Sequence, residues 1–251
     1  MNYFDRLDDW TIQYIVQNVA RSDQLAPYLS TGFRATCRRM RKLIKKPEKI
    51  APNTLLCVSA YCGSFAGIIL AREHDANNLD MMLIYAVVSG QREICELARE
   101  WGARNFNEML IKASIEGNHA MCNLALIWGA TDFSAMLRSA SYRAYRDICV
   151  LAREWGARNF DWMLFGAAQG NHRELCELAR EWGANDFDLM LCSAAKHGHL
   201  EICELAYEWG ARDFDGMFRN AMQNRHHKLC ELARAWETRD FNDLYMVREV
   251  T

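Results

Sequence analysis

The nine residues CELAREWGA stand at 95–103 and again, unchanged, at 176–184. The interval of 81 residues is three periods of 27, and the intermediate steps hold CNLALIWGA at 122, CVLAREWGA at 149, CELAYEWGA at 203 and the looser CELARAWET at 230. A unit this short cannot bury its own apolar face, so a chain that repeats itself at a fixed period of a few tens of residues stacks each unit on the next.

Each phrase belongs to a longer unit. Phe recurs at 106, 133, 160, 187, 214 and 241, and Met-Leu or Met-Phe follows three residues after each of the first five. An earlier, degenerate copy keeps Leu79, Met82 and Leu83, and a weaker one keeps Leu55, Leu56 and Ala60. The reading is seven units of 27 residues over about 52–240, within an array spanning 52–251 that ends in a short C-terminal remnant.

Within 160–186, Met163, Leu164, Ala167 and Ala168 have the i, i+1, i+4, i+5 spacing of a short helix with one buried edge. Asp161 or Asn159 is expected to cap its first turn. Gln-Gly-Asn-His then breaks the pattern, and a second helix from about Arg173 to Trp182 follows. It turns Leu175, Cys176, Leu178, Ala179 and Trp182 inward, with Arg173, Glu177 and Arg180 pairing along the outside. Gly183 stops it, as Gly does at 102, 129, 156 and 210. No segment alternates with period 2, so the fold class is all-α, a solenoid of helix–turn–helix repeats.

Ten cysteines would suggest disulfides in a small secreted protein, but six of them, Cys95, Cys122, Cys149, Cys176, Cys203 and Cys230, recur at one phase. Equivalent positions in stacked units lie roughly 10 Å apart, beyond the ~7 Å that a disulfide allows between Cα atoms. They read as small buried hydrophobes in a reducing compartment. The longest purely apolar run, Met81 to Val88, falls far short of a bilayer span, and Asp5, Arg6, Asp8 and Asp9 precede any apolar run, unlike a signal peptide. The chain is therefore expected inside a cell, neither secreted nor membrane-spanning.

Charge divides the chain. Residues 1–51 hold ten Lys/Arg against five Asp/Glu, and the remainder twenty against twenty-seven, within a total of −2. The basic cluster RRMRKLIKKPEK at 38–49 has the composition of a nucleic-acid contact or nuclear address, but a solvated helix end explains it as well. With the rest of the chain acidic, nucleic acid is not the expected partner.

The stretch MLCSAAKHGHLEICELAYEWGA at 190–211 resembles the ankyrin repeat, whose helical half reads roughly PLHxAAxxGHxEIVxxLLxxGA. The ankyrin period is 33 residues, and the six missing here fall between Gly-Ala and Met-Leu, where ankyrin repeats build a β-hairpin finger. The resemblance implies stacked helix pairs with the fingers reduced to bare loops. The tryptophans at 101, 128, 155, 182, 209 and 236 keep one phase at the end of the second helix. They are expected to form a packing ladder over those shortened loops, the alternative being an aromatic recognition strip.

Residues 1–50 repeat nowhere. Leu7, Ile12, Ile15, Val16 and Val19 mark one helical face, Leu25 and Leu29 a second segment, and Phe33, Cys37, Met40 and Leu43 or Ile44 a third. This three-helix phrasing resembles the F-box, which opens LPxEIxxxILxxL, continues DLxxL and closes xCxxWxxL; Asp8 and Trp10 depart from it. F-box and ankyrin-type repeats joined in one chain resemble the large paralogous families of giant DNA viruses that infect amoebae. That resemblance implies a substrate adaptor for a cullin-RING (SCF-type) ubiquitin ligase in the host cytoplasm or nucleus. Leu7, Ile12, Ile15 and Leu25 would dock on the ligase's linker protein. The alternative is that 1–50 only caps the end of a scaffold or virion interaction protein.

No catalytic site is expected, and no cofactor or metal. His172 and Cys176, His199 and Cys203, and His226 and Cys230 fall four apart, as a nucleophile and base could, but three copies of one pair argue for a repeat-phase turn histidine beside a core cysteine. Cys192, His197, His199 and Cys203 contain no paired C-x-x-C, so zinc is not expected. The array reads instead as a monomeric protein-binding surface. By the ankyrin resemblance, its concave face would be lined by Glu108, Glu116, Tyr142, Arg143, Trp162, Gln169, Leu189, Lys196, His197 and Gln223. Tyr142, Arg143 and Trp162 stand out, because aromatic residues and Arg supply most interface hot spots, and they centre the interface on 133–186.

Overall fold

A computed structural model describes residues 51–248, with side chains described through 240. The F-box-like segment and its candidate docking residues Leu7, Ile12, Ile15 and Leu25 lie outside the described residues. The described residues divide into two compact units, one through Ala130 and the other from Thr131.

The first contains α1 (Pro52–Cys62), α2 (Phe65–Glu73), α3 (Leu79–Val88), α4 (Arg92–Trp101), α5 (Phe106–Ile115) and α6 (His119–Ile127). The second contains α7 (Phe133–Tyr142), α8 (Arg146–Glu154), α9 (Asp161–Gln169), α10 (Arg173–Glu181), α11 (Phe187–His197), α12 (Leu200–Glu208), α13 (Phe214–Gln223) and α14 (His227–Arg248). Within each unit the helices pair as antiparallel hairpins, and the first helix of each pair lies beside the first helix of the next, α1 on α3 on α5 and α7 on α9 on α11 on α13. This is an all-α solenoid; no strand and no hairpin finger occurs among the described residues.

The apolar phases dictate the stacking. In α9, Met163, Leu164, Ala167 and Ala168 are fully buried, and their counterparts Met136, Leu137 and Ala140 or Met190, Leu191, Ala194 and Ala195 are too. Each fully buried Leu or Met side chain is worth about 1.5–3 kcal/mol relative to exposure. The repeat-phase cysteines are buried beside them, and the nine described cysteines are all free. Burial pushes the thiols of Cys95, Cys149, Cys176 and Cys203 up to about 12, so they stay protonated and inert.

Glycine ends the second helices for a conformational reason. Gly183 has φ +108, and the next amide, Ala184 N–H, turns back to donate to Ala179 C=O at 2.9 Å. Glu237 and Thr238 replace Gly-Ala in the last repeat, and with nothing to break it α14 runs on for 22 residues. None of the described helices is long and apolar enough to cross a membrane.

The repeats are clasped where a finger would have been. Asp161 does not cap its own helix: α9 starts without a side-chain cap, and Asp161 Oδ1 accepts N–H bonds from Asn185 and Asp186 in the next repeat, at 2.8 and 3.0 Å. Asp188 does the same for Arg212 and Asp213, at 2.6 and 2.9 Å, and Asp80 for Arg104 and Asn105, at 2.7 and 2.9 Å. Asn159 does not cap α9 either, but in the next two repeats the residue before Phe does cap: Asp186 Oδ1 accepts from Leu189 N–H at 2.9 Å, and Asp213 from Gly216 N–H at 2.8 Å.

Candidate partner-binding face

The ladder expected of the tryptophans is present in the second helices and loops. Phe106 and Trp128, Phe133 and Trp155, Phe160 and Trp182, and Phe187 and Trp209 meet edge to face with ring centroids 5.5, 6.0, 5.6 and 5.5 Å apart. Arg153 lies over Trp182 at 4.6 Å and Arg180 over Trp209 at 4.7 Å, so Arg180 stacks on the following repeat rather than joining the Arg173–Glu177 ion pair. Tyr207 takes the arginine's place above Trp236, stacked at 4.4 Å. These rings are engaged by the chain itself.

The first helices of the second compact unit differ. Once Met163, Leu164, Ala167 and Ala168 face inward, Trp162 and Phe165 are left on the outer edge of α9, with Trp162 39% exposed. Their rings meet edge to face at 5.7 Å, and the exposed Arg138 guanidinium of α7 lies over both, 5.5 Å from Trp162 and 5.3 Å from Phe165. Gly166 makes this possible, because a Cβ there would stand 2.3 Å from the carbonyl oxygen of Arg138. The backbone of α9 can therefore lie directly on the middle of α7.

Arg138, Phe165 and Gly166 were not among the residues expected from sequence. Arg138 and Phe165 share a mid-helix phase held by Cys192 and Arg219 in the following repeats, a variability that marks them as surface positions. Trp162 meets these two residues rather than Tyr142 or Arg143. Tyr142, 44% exposed, and Arg143 stand at the C-terminal end of α7, where Tyr142 C=O accepts a bond from His172 Nε2 at 3.0 Å.

The turn histidines repeat that clasp: His199 Nε2 donates to Gln169 C=O at 3.0 Å and His226 Nε2 to Lys196 C=O at 3.2 Å. Gln169 and Lys196 thus serve the stacking through their backbones; the Gln169 side chain is half-buried and that of Lys196 exposed. His197, exposed, donates through Nδ1 to Ser193 C=O at 2.9 Å, and its ring stacks on His199. Leu189 is half-buried, while Gln223 is exposed at the end of α13. Glu108, ion-paired to Lys112 at 3.2 Å, and the half-buried Glu116 belong to the first compact unit.

Neither a nucleophile–base pair nor a zinc cluster comes together at these histidines. Cys203 Sγ points to Leu191 C=O, Cys192 Sγ donates to Asp213 Oδ2 at 3.4 Å, and His199 is held by Gln169. Burial pushes Cys192 up to about 12, and Asp213 reinforces that shift.

No family model matches the chain, and no curated protein matches it. Among solved structures, the chain is similar to the human ASB11 ankyrin repeat domain. That likeness has 20% identity and a TM-score of 0.44, and covers 62% of this chain and 83% of that one.

Proposed function

We propose that the chain is a protein-interaction module that presents the outer edge of α7, α9, α11 and α13 to a protein target. The observation that carries this reading is the Trp162–Phe165–Arg138 cluster, at the surface of α9 where Met163, Leu164, Ala167 and Ala168 are turned inward. Large aromatic side chains and Arg held rigidly at a surface supply contact area at low entropic cost. Tyr142, Arg143, Lys196, His197 and Gln223 extend the face on either side.

The finer reading treats 1–50 as an F-box-like unit and 52–251 as the recognition array, together a substrate adaptor for a cullin-RING ubiquitin ligase acting in the host cell. Its support is the phrasing of residues 1–50, with Leu7, Ile12, Ile15 and Leu25 as the docking residues. The test is co-elution of the full chain with a recombinant ligase linker protein, beside a Leu7→Asp/Ile15→Asp variant checked for helicity. A complex lost in the folded variant is the expected result. No complex at tens of micromolar overturns the adaptor reading and leaves a scaffold whose first fifty residues are a cap.

A further inference from the structure

The face proposed above carries charge with few internal partners. Arg138, Arg143, Lys196, Arg219 and Arg225 are exposed along or just beyond its first helices, and none forms an ion pair among the described residues. Several arginines elsewhere in this unit have internal partners: Arg173 pairs with Glu177, Arg153 and Arg180 cover the tryptophan ladder, and Arg158 and Arg212 donate to carbonyls of their own loops.

The acids of these helices, Asp161, Asp188 and Asp215 with the N-caps Asp132, Asp186 and Asp213, all stand at the N-terminal turns. Arg138 and Arg219 are mid-helix and Arg143, Lys196 and Arg225 lie at or just beyond the C-terminal ends, so the positive charge gathers toward the C-terminal half of the face. The second helices α10 and α12 are net negative, with exposed Glu174, Glu177, Glu181, Glu201, Glu204 and Glu208 against Arg173 and Arg180.

From this polarity we infer that the first-helix face of the second compact unit takes an acidic peptide segment bearing an aromatic or aliphatic anchor. The anchor rests against Trp162 and Phe165, where Arg138 already lies over both rings and offers its guanidinium edge to a carboxylate. Further carboxylates reach Arg143 on one side and Lys196 on the other. A polyanion as extended as a nucleic acid is disfavoured, because its long phosphate track would run beside the glutamates of α10 and α12. The inference rests on the proposed binding face and adds the chemistry of its partner.

The test selects binders to the full chain from a displayed library of random peptides of about twelve residues, then measures labelled winners by fluorescence anisotropy. Winners are expected to carry net negative charge and an aromatic or aliphatic anchor. Their affinity should fall at least ~10-fold in an Arg138→Glu/Arg143→Glu variant and again as NaCl rises from about 50 to about 500 mM. Arg173→Glu, on the second-helix side, should leave it within about twofold.

Neutral or basic winners that are lost in Trp162→Ala overturn the acidic inference and keep the face. Winners indifferent to Trp162→Ala, or no winners, overturn the face itself. A single-stranded oligonucleotide of about twelve nucleotides that displaces the winners at equal concentration, and itself weakens in Arg138→Glu/Arg143→Glu, overturns the inference in favour of nucleic acid.

Discussion

Trp182 and Trp162 belong to one repeat and lie on different helices with different neighbours. Trp182 ends α10 at a phase where tryptophan recurs every 27 residues, between Phe160 of its own repeat and Arg153 of the one before. Trp162 stands at a phase occupied in other repeats by Glu108, Ala135, Leu189 and Gly216. Where a side chain's neighbour is another copy of the repeat, one solution serves every copy and the residue recurs. Where it faces outward, stacking places no demand on it and each copy differs. The second helices thus record how the chain holds itself, and the first helices what it presents.

The largest expected effect separates the two tryptophans directly. Trp182→Ala removes an edge-to-face pair and a cation–π contact and leaves a gap under the loop, which costs about 2–4 kcal/mol in urea unfolding. Trp162→Ala costs less than about 1 kcal/mol, because its ring is 39% exposed, yet it abolishes binding of the target or of selected peptides. Equal losses of stability would erase the distinction between the two helix sets.

Next is Gly166. A methyl at 2.3 Å from the Arg138 carbonyl forces α9 away from α7, so Gly166→Ala is expected to cost about 1–3 kcal/mol. It should also weaken binding, since the shift moves Trp162 and Phe165 relative to Arg138. Gly166→Ala that leaves both stability and binding unchanged would show that the close approach of the two helices is not what sets the cluster.

A smaller effect is expected at the clasp. Asp188→Ala strands the N–H groups of Arg212 and Asp213 and should cost about 1–2 kcal/mol, while Asp188→Asn should recover most of it. Asn already performs this task in the first described repeat, where Asn53 Oδ1 accepts from Asn77 and Asn78 N–H at 2.8 and 2.9 Å. Hydrogen exchange at Arg212 and Asp213 reads the clasp locally: faster exchange in Asp188→Ala than in Asp188→Asn is the expected order.

The stacking was legible in sequence because it is written in repeated phases: Met-Leu, Ala-Ala, Cys and Trp each occupy a fixed slot, and burial follows the slot. Departures from the repeat brought out Trp162 and Tyr142. Arg138 and Phe165 stayed hidden because they become neighbours only through the contact of α7 with α9, which depends on an absent Cβ at Gly166. Asp161 was misread for a related reason. A local rule pairs an Asp at a helix start with amides of its own first turn, whereas its partners are 24 and 25 residues further on. Arg180 likewise had an obvious local acid in Glu177 but lies on the next repeat's Trp209. In each case the deciding contact crosses from one repeat to the next.

The smallest expected effect is a pH dependence at another such contact. Burial holds the His199 imidazole below its ordinary range; the Gln169 carbonyl bond opposes this, and His197, His226 and His172 add to the lowering. Folding therefore favours the neutral ring. The sign follows: His199's contribution is complete above the unfolded value of about 6.5 and is lost as the pH falls through the lower folded value. His199→Gln keeps an N–H donor for Gln169 C=O, and Gln91 already occupies this phase in another repeat. Urea midpoints at about pH 7.5 and pH 5.5 should therefore fall less with acidification in His199→Gln than in the parent chain. His172 and His226 are common to both proteins, so the difference between the two drops isolates one clasp. Equal drops would mean that protonation of His199 does not distinguish folded from unfolded chain, and that its bond to Gln169 tolerates the charged ring.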